Sequence, residues 1–307
     1  MKLIDIPGKS QADPYIIESG GKFYVYATGG DGVELYRAPD LFGPWESLGI
    51  CATVEGRKSF WAPSVIELDG KFYMYVSCME KETDDAHRQA MFVLTSDYAE
   101  GPFENPKQIL APFSIDSHIV KTEKGLFLFY SVNDYEAERA GTYIVVDKML
   151  DPFTPSGNPV SVVRPTLDEE IFCRDRFKKG QHWHTLEGAF YFREGDRHFV
   201  MYSGNCYESE FYYLGYAYAE TSESDLTKIR FQKYPSDDVY LPVINKNEWE
   251  EGTGHNSVIF YKGDWCAVYH GRDWGVNDGK RDYRTARIAK LNIDGIKITA
   301  ERYKDRV

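Results

Sequence analysis

The sequence predicts an all-β chain folded as a five-bladed β-propeller, a single domain over residues 1–307. Three observations carry this expectation: helical periodicity is almost absent, a strand-turn-strand unit recurs five times, and it returns about every 50 to 70 residues. A period in that range marks propeller blades and other repeat arrays.

The first copy reads DPYIIESGGKFYVYAT from Asp13, and the second APSVIELDGKFYMYVS from Ala62. The third is DSHIVKTEKGLFLFYS from Asp116, the fourth EGAFYFREGDRHFVMYS from Glu187, and the fifth HNSVIFYKGDWCAVYH from His255. In each, an apolar strand passes through a short Gly-, Asp- or Lys-containing turn into a strand rich in Tyr and Phe. Further strands follow in VELYRAPD, MFVLTSD, TYIVVDK, YLGYAYAE and RTARIAKL. One four-stranded sheet cannot bury both of its faces, whereas five stacked around an axis can. A generic β-sandwich would share the strand content, but five matched copies, each led by a polar residue, favour the propeller. Between the third and fourth copies Arg164 to His184 forms a polar insertion, and such insertions usually gather on the ligand face.

The bulk properties narrow the function. A formal net charge of −12 argues against nucleic acid or an anionic membrane as partner and suits a neutral substrate. Strand propensity accounts for most of the 15% aromatic content. Five scattered cysteines without a CxxC pair suggest a reducing compartment. The segment MKLIDIPGKS lacks the apolar run of a signal peptide, so a cytoplasmic location is expected. No stretch approaches the roughly 18 apolar residues of a membrane helix. The motifs of nucleotide binding, zinc proteolysis and serine esterases are missing.

In a propeller the innermost strand of each blade lines a central channel, so a polar residue at its start points into a shared funnel. The copies lead with Asp13, Ser64 behind Trp61, Asp116, Glu187, and His255 with Asn256. Three acids at equivalent places supply parts for a tuned acid/base pair, in which one carboxyl keeps its proton while another stays ionised.

With ADPYII, KFYVYAT, FWAPSVIELDGKFYMYVS, SIDSHIV, TLEGAFYF, YLGYAYAE and GTGHNSVIFYKGDWCAVYH in this order, the chain resembles glycoside hydrolase family 43 over essentially its whole length. That family comprises arabinofuranosidases, xylosidases and arabinanases. The resemblance implies Asp13 as general base for the attacking water, Glu187 as general acid, and Asp116 as the residue that adjusts and orients the acid. It also implies inversion, with base and acid roughly 6.5 to 9.5 Å apart. Two segments depart from the usual pattern: IDSHIVKTEKG, where a Pro-Ser and an acidic run are common, and LEGAF, where EGP is commoner. Both keep their carboxyls.

By the same resemblance His255 is a central-channel histidine that either ligates a structural calcium ion or holds an ordered water. No cofactor is required. Arg287 falls at the place of a last-blade arginine contacting the sugar, while Phe60 and Trp61 could wall the sugar site or pack in the core. The His182-Trp183-His184 tripeptide fits a loop near the pocket better than a zinc site, and His270 is expected to serve the fifth blade's structure. The expected enzyme is an exo-acting α-L-arabinofuranosidase on pentose-containing oligosaccharides, with β-xylosidase as the close alternative. A non-catalytic sugar-binding propeller should lack one of the three carboxyls, and a phosphorylase should carry a basic phosphate cluster; neither condition is met.

Overall fold

A computed structural model describes residues 1–276 and 283–304. Five antiparallel units follow one another along the chain. The first comprises β1 (Tyr15–Ser19), β2 (Lys22–Ala27), β3 (Val33–Ala38) and β4 (Glu46–Ala52). The second comprises β5 (Arg57–Leu68), β6 (Lys71–Glu80), β7 (Ala90–Ser96) and β8 (Glu104–Leu110). The third has β9 (Ile115–Thr122), β10 (Gly125–Asp134) and β11 (Gly141–Asp151), with short β12 (Thr154–Pro155) and β13 (Val160–Val163) on its outer edge. After β14 (Ile171–Cys173) comes the fourth unit, β15 (Trp183–Glu194), β16 (Arg197–Gly204), β17 (Tyr213–Glu220) and β18 (Gln232–Lys233). The fifth is β19 (Glu250–Tyr261), β20 (Asp264–Asp273), β21 (Thr285–Asp294) and β22 (Lys297–Glu301). Among the described residues the only helices are three single 3-10 turns, so the chain is all-β.

The second strand of each unit reads as a continuous apolar run because both of its faces are buried. Period-2 alternation sends Tyr24 and Tyr26 of β2 into a core shared with the second unit, and Phe23 and Val25 into a core shared with the fifth. On β10, Phe127 and Phe129 face the fourth unit while Leu128 and Tyr130 face the second. Strand β20 divides likewise, Ala267 and Tyr269 towards the fourth unit, Cys266 and Val268 towards the first. Five cores result, one between each pair of neighbours, and the set returns on itself. A side chain such as Phe129, fully buried in one of them, stabilises the fold by roughly 1.5–3 kcal/mol. The first strands β1, β5, β9, β15 and β19 also touch in a ring, each meeting the next and β19 meeting β1.

Two contacts depart from simple repetition. The N-terminal segment joins the last unit, with Leu3 N–H donating to Ala286 O at 2.8 Å and Ile288 N–H to Met1 O at 3.0 Å. The third and fourth units share a hydrogen-bonded sheet through the short parallel pairing of Gly141 with His184 and Thr142 with Thr185. Gly141 permits this approach, since a Cβ there would lie 2.1 Å from the His184 carbonyl oxygen. Hence four hydrogen-bonded sheets hold the five units.

Candidate active site

In or just before each first strand, the residues at one equivalent place of the repeat have a left-handed backbone. These are Asp13 (φ 54°), Ala62 (φ 44°), Asp116 (φ 59°), Gly188 (φ 64°) and His255 (φ 47°). In β5, β15 and β19 the ladder shifts register beside that residue, as a bulge does. Such irregularities re-aim the flanking side chains, and here they turn them towards the centre where the units meet. Asp13 and Asp116 occupy the left-handed position itself. Glu187 stands one residue earlier, matching Ala12, Trp61 and Ile115 of other repeats, which corrects the expectation that the three acids are strictly equivalent.

All three carboxyls nevertheless line one cavity of about 470 Å3, together with Trp61, His255 and Arg284. Asp13 is the most heavily tied. Its Oδ2 accepts the Thr28 hydroxyl at 2.5 Å, and its Oδ1 lies 3.2 Å from Arg284 Nη1 and 3.4 Å from His255 Nδ1. Its own N–H donates to His270 Nδ1 at 3.1 Å, so that buried imidazole supports the same residue. Burial alone would raise the Asp13 carboxyl, but Arg284, followed by His255 and His270, holds it well below the usual carboxylate range. Burial keeps the imidazoles neutral, pushing His270 down to about 3 and lowering His255.

Glu187 is in the opposite condition. Burial pushes it up to about 7, against the Tyr212 hydroxyl that donates to Oε1 at 2.8 Å, and the nearby Asp13 charge adds to the rise. Asp116 is raised well above the ordinary value by burial and then by the Glu187 and Asp13 charges. Its Oδ2 accepts the Gly188 N–H at 3.2 Å, so it holds the backbone next to Glu187. Gly188 suits that position twice over: its φ is positive, and a Cβ would come within 3.1 Å of the His255 ring. The cavity therefore combines an ionised carboxylate with a coupled pair of carboxyls that retains a proton near neutrality. Water activation and proton donation are the chemistry this arrangement can perform.

The insertion supplies one wall. Phe172, Arg176 and Trp183 line the cavity, and Arg176 Nη2 lies 3.3 Å from His87 Nε2 of the second unit. The Arg176 guanidinium stands 4.8 Å from the Trp183 ring. Alternation along β15 turns His182 and His184 away from Trp183 into a neighbouring hollow with Arg139, so the tripeptide contributes its indole and not its imidazoles. Tyr207, 5.0 Å from the Arg284 guanidinium, completes the opposite side.

Two expected substrate contacts lie elsewhere. Arg287 is buried against Glu250 (3.2 Å) and Asp273 (2.6 Å) and borders a separate hollow with Lys2 and Trp249. Arg284 stands in the cavity instead; three positions apart around a strand start, the two side chains point to opposite faces. Phe60 is fully buried in the core between the first and second units, leaving Trp61 as the cavity aromatic. The sequence reading also missed Thr28 and Tyr212. Strand parity could not have separated Arg284 from Arg287, because Thr285, Ala286, Ile288 and Ala289 are all buried; Thr28 and Tyr212 carry no signal either.

As for calcium, His255 offers one imidazole, and the centre beneath is filled by Tyr15, His118 and Phe190 in mutual ring contact at 4.1 to 5.9 Å. Among the described residues no three His, Cys, Asp or Glu side chains cluster as a metal-binding set. Calcium prefers about six to eight oxygen ligands, so an ion held at His255 would draw mostly on water oxygens.

Comparison with known proteins adds three findings. Residues 6–296 match the model of the family described as Glycosyl hydrolases family 43. A Streptomyces avermitilis protein named extracellular exo-alpha-(1->5)-L-arabinofuranosidase is 28% identical over 94% of this chain, which spans 61% of that protein's length. A Bacteroides ovatus protein named xylosidase/arabinosidase is 24% identical, with 94% of each chain covered. The crystal structure of a thermostable family-43 glycoside hydrolase superposes with a TM-score of 0.79 at 27% identity, covering 98% of this chain and 96% of that one. The Streptomyces relative is named extracellular, and that finding overturns the expected cytoplasmic location. Cys51, Cys78 and Cys266 are buried as small apolar side chains, and in that role a thiol does not report its compartment.

Proposed function

The chain belongs to the glycosyl hydrolases of family 43, and from that premise we propose that it is an inverting, exo-acting enzyme releasing terminal α-L-arabinofuranosyl residues from arabinose-containing saccharides. The observation that carries the reading is the split between Asp13, held ionised, and Glu187, raised to about 7, within one cavity. Asp13 takes a proton from water as the water oxygen bonds to the anomeric carbon. Glu187 gives its proton to the glycosidic oxygen as that bond breaks, and the sugar leaves with inverted configuration. Asp116 acts on Glu187 through the neighbouring Gly188 N–H, which its Oδ2 accepts.

We place this chemistry on a five-bladed β-propeller, one domain expected over residues 1–307. The five inter-unit cores and the ring of first strands support that architecture. Exo action is supported by the wall of Phe172, Arg176 and Trp183, which reaches across to His87, and by the exo designation of the Streptomyces relative. The Bacteroides relative's name favours β-xylosidase as the second reading. Assays on 4-nitrophenyl α-L-arabinofuranoside and β-D-xyloside, with product analysis on arabino-oligosaccharides, decide between them. Release of single arabinose units is expected. Absence of turnover on both pentoside classes would overturn the proposal.

A further inference from the structure

We infer that Tyr212 is the positioning residue of the proton donor: its hydroxyl, 2.8 Å from Glu187 Oε1, fixes the carboxyl so that Oε2 is the oxygen presented to substrate. The inference rests on Glu187 being the general acid.

Among the described residues Tyr212 is the one side chain that hydrogen-bonds Glu187, whereas Asp116 bonds the neighbouring Gly188 N–H. A carboxyl that accepts a donor on one oxygen carries its proton on the other. Tyr212 can hold that geometry because it is itself immobilised. It is 1% exposed, and its ring stacks on His270 at 5.6 Å with 8° between planes. The ring also fills the space over Gly254, where a Cβ would lie 1.9 Å away. The glycine of the GTGH segment is thus required to seat the tyrosine that orients the acid. Burial raises the phenol well above its ordinary range, so it stays protonated and available as a donor. The other charged groups acting on Glu187 are Asp13 and Arg284, and its own charge acts on Asp116.

The test is Tyr212→Phe, which keeps the ring and its packing, measured on a pentoside that the wild type turns over. Loss of a donor to the ionised carboxylate raises the acid's pKa, so the basic limb of kcat/KM should move up by about one pH unit. Loss of orientation should lower kcat about tenfold on a disaccharide, whose leaving group needs protonation, and by less than about twofold on a nitrophenyl glycoside. Fluorotyrosine at position 212, a stronger donor of the same shape, should move the limb the other way and covers the case of a poorly folded Phe variant. An active wild type whose limb moves in neither variant, with both substrates slowed equally, would overturn the role of Tyr212. A wild type inactive on every pentoside would instead sink the proposed function.

Discussion

Asp13 and Arg284 are 271 positions apart in the chain and meet at 3.2 Å, Oδ1 to Nη1, joining the first unit to the last across the cavity floor. The guanidinium offsets the cost of burying the carboxylate, so the proposed base remains ionised at low pH. Arg284→Met removes the largest opposition to burial and raises the Asp13 pKa. The acidic limb of kcat/KM should then move to higher pH, with at least an about tenfold loss at pH 5 and a smaller one at pH 7. Arg284→Lys should recover part of the shift. A pH-rate profile with an unmoved acidic limb would contradict this account.

Glu187 couples activity to stability with the opposite sign. Its folded-state pKa of about 7 lies above the unfolded value of about 4.3, so the folded state binds more protons between them. Stability therefore falls as pH rises through that window. Glu187→Gln should lose more than about 100-fold in kcat on arabinobiose. Its melting temperature should match the wild type at pH 4 and exceed it at pH 8. A gain of equal size at both values would show that the carboxyl does not titrate as described.

Lys233 and Glu170 form a buried ion pair, 2% and 0% exposed, with Nζ 2.5 Å from Oε1. The other carboxylate oxygen accepts the N–H groups of Thr166 (2.6 Å) and Leu167 (3.0 Å), anchoring the insertion that carries Phe172, Arg176 and Trp183. Lys233→Met strands a buried carboxylate and should destabilise by about 3–5 kcal/mol. Adding Glu170→Gln should restore much of that loss. Urea denaturation of the two variants measures both, and a single variant as stable as wild type would refute the anchoring role.

Trp183 lines the cavity, and we propose that it serves binding and not bond breaking. Trp183→Ala should raise KM for arabinotriose about tenfold while kcat changes less than about twofold. Equal losses in kcat and kcat/KM would place the indole in the transition state instead.

The repeat was legible because its cause is local: a strand buried on both faces needs an unbroken apolar run, and Phe23–Ala27 and Leu126–Ser131 announce themselves. The acids were legible because each heads such a run. Legibility stopped where a one-residue phase mattered. Glu187 stands one position before the left-handed residue that Asp13 and Asp116 occupy, Arg284 was exchanged for Arg287, and Phe60 was grouped with Trp61 although their side chains part company at a bulge. Thr28 and Tyr212 sit in unremarkable surroundings and matter only through what lies across the cavity from them.

The sequence by itself determined that the chain is all-β, that it repeats five times, and which carboxyls head the repeats, since periodicity and residue type are properties of neighbours along the chain. Only the tertiary structure supplied the physical cause that holds Asp13 ionised and a proton on Glu187, and showed which arginine and tyrosine attend them. Those states depend on burial and on charges brought within about 3 Å from units far apart in sequence, and such distances have no counterpart in spacing along the polypeptide.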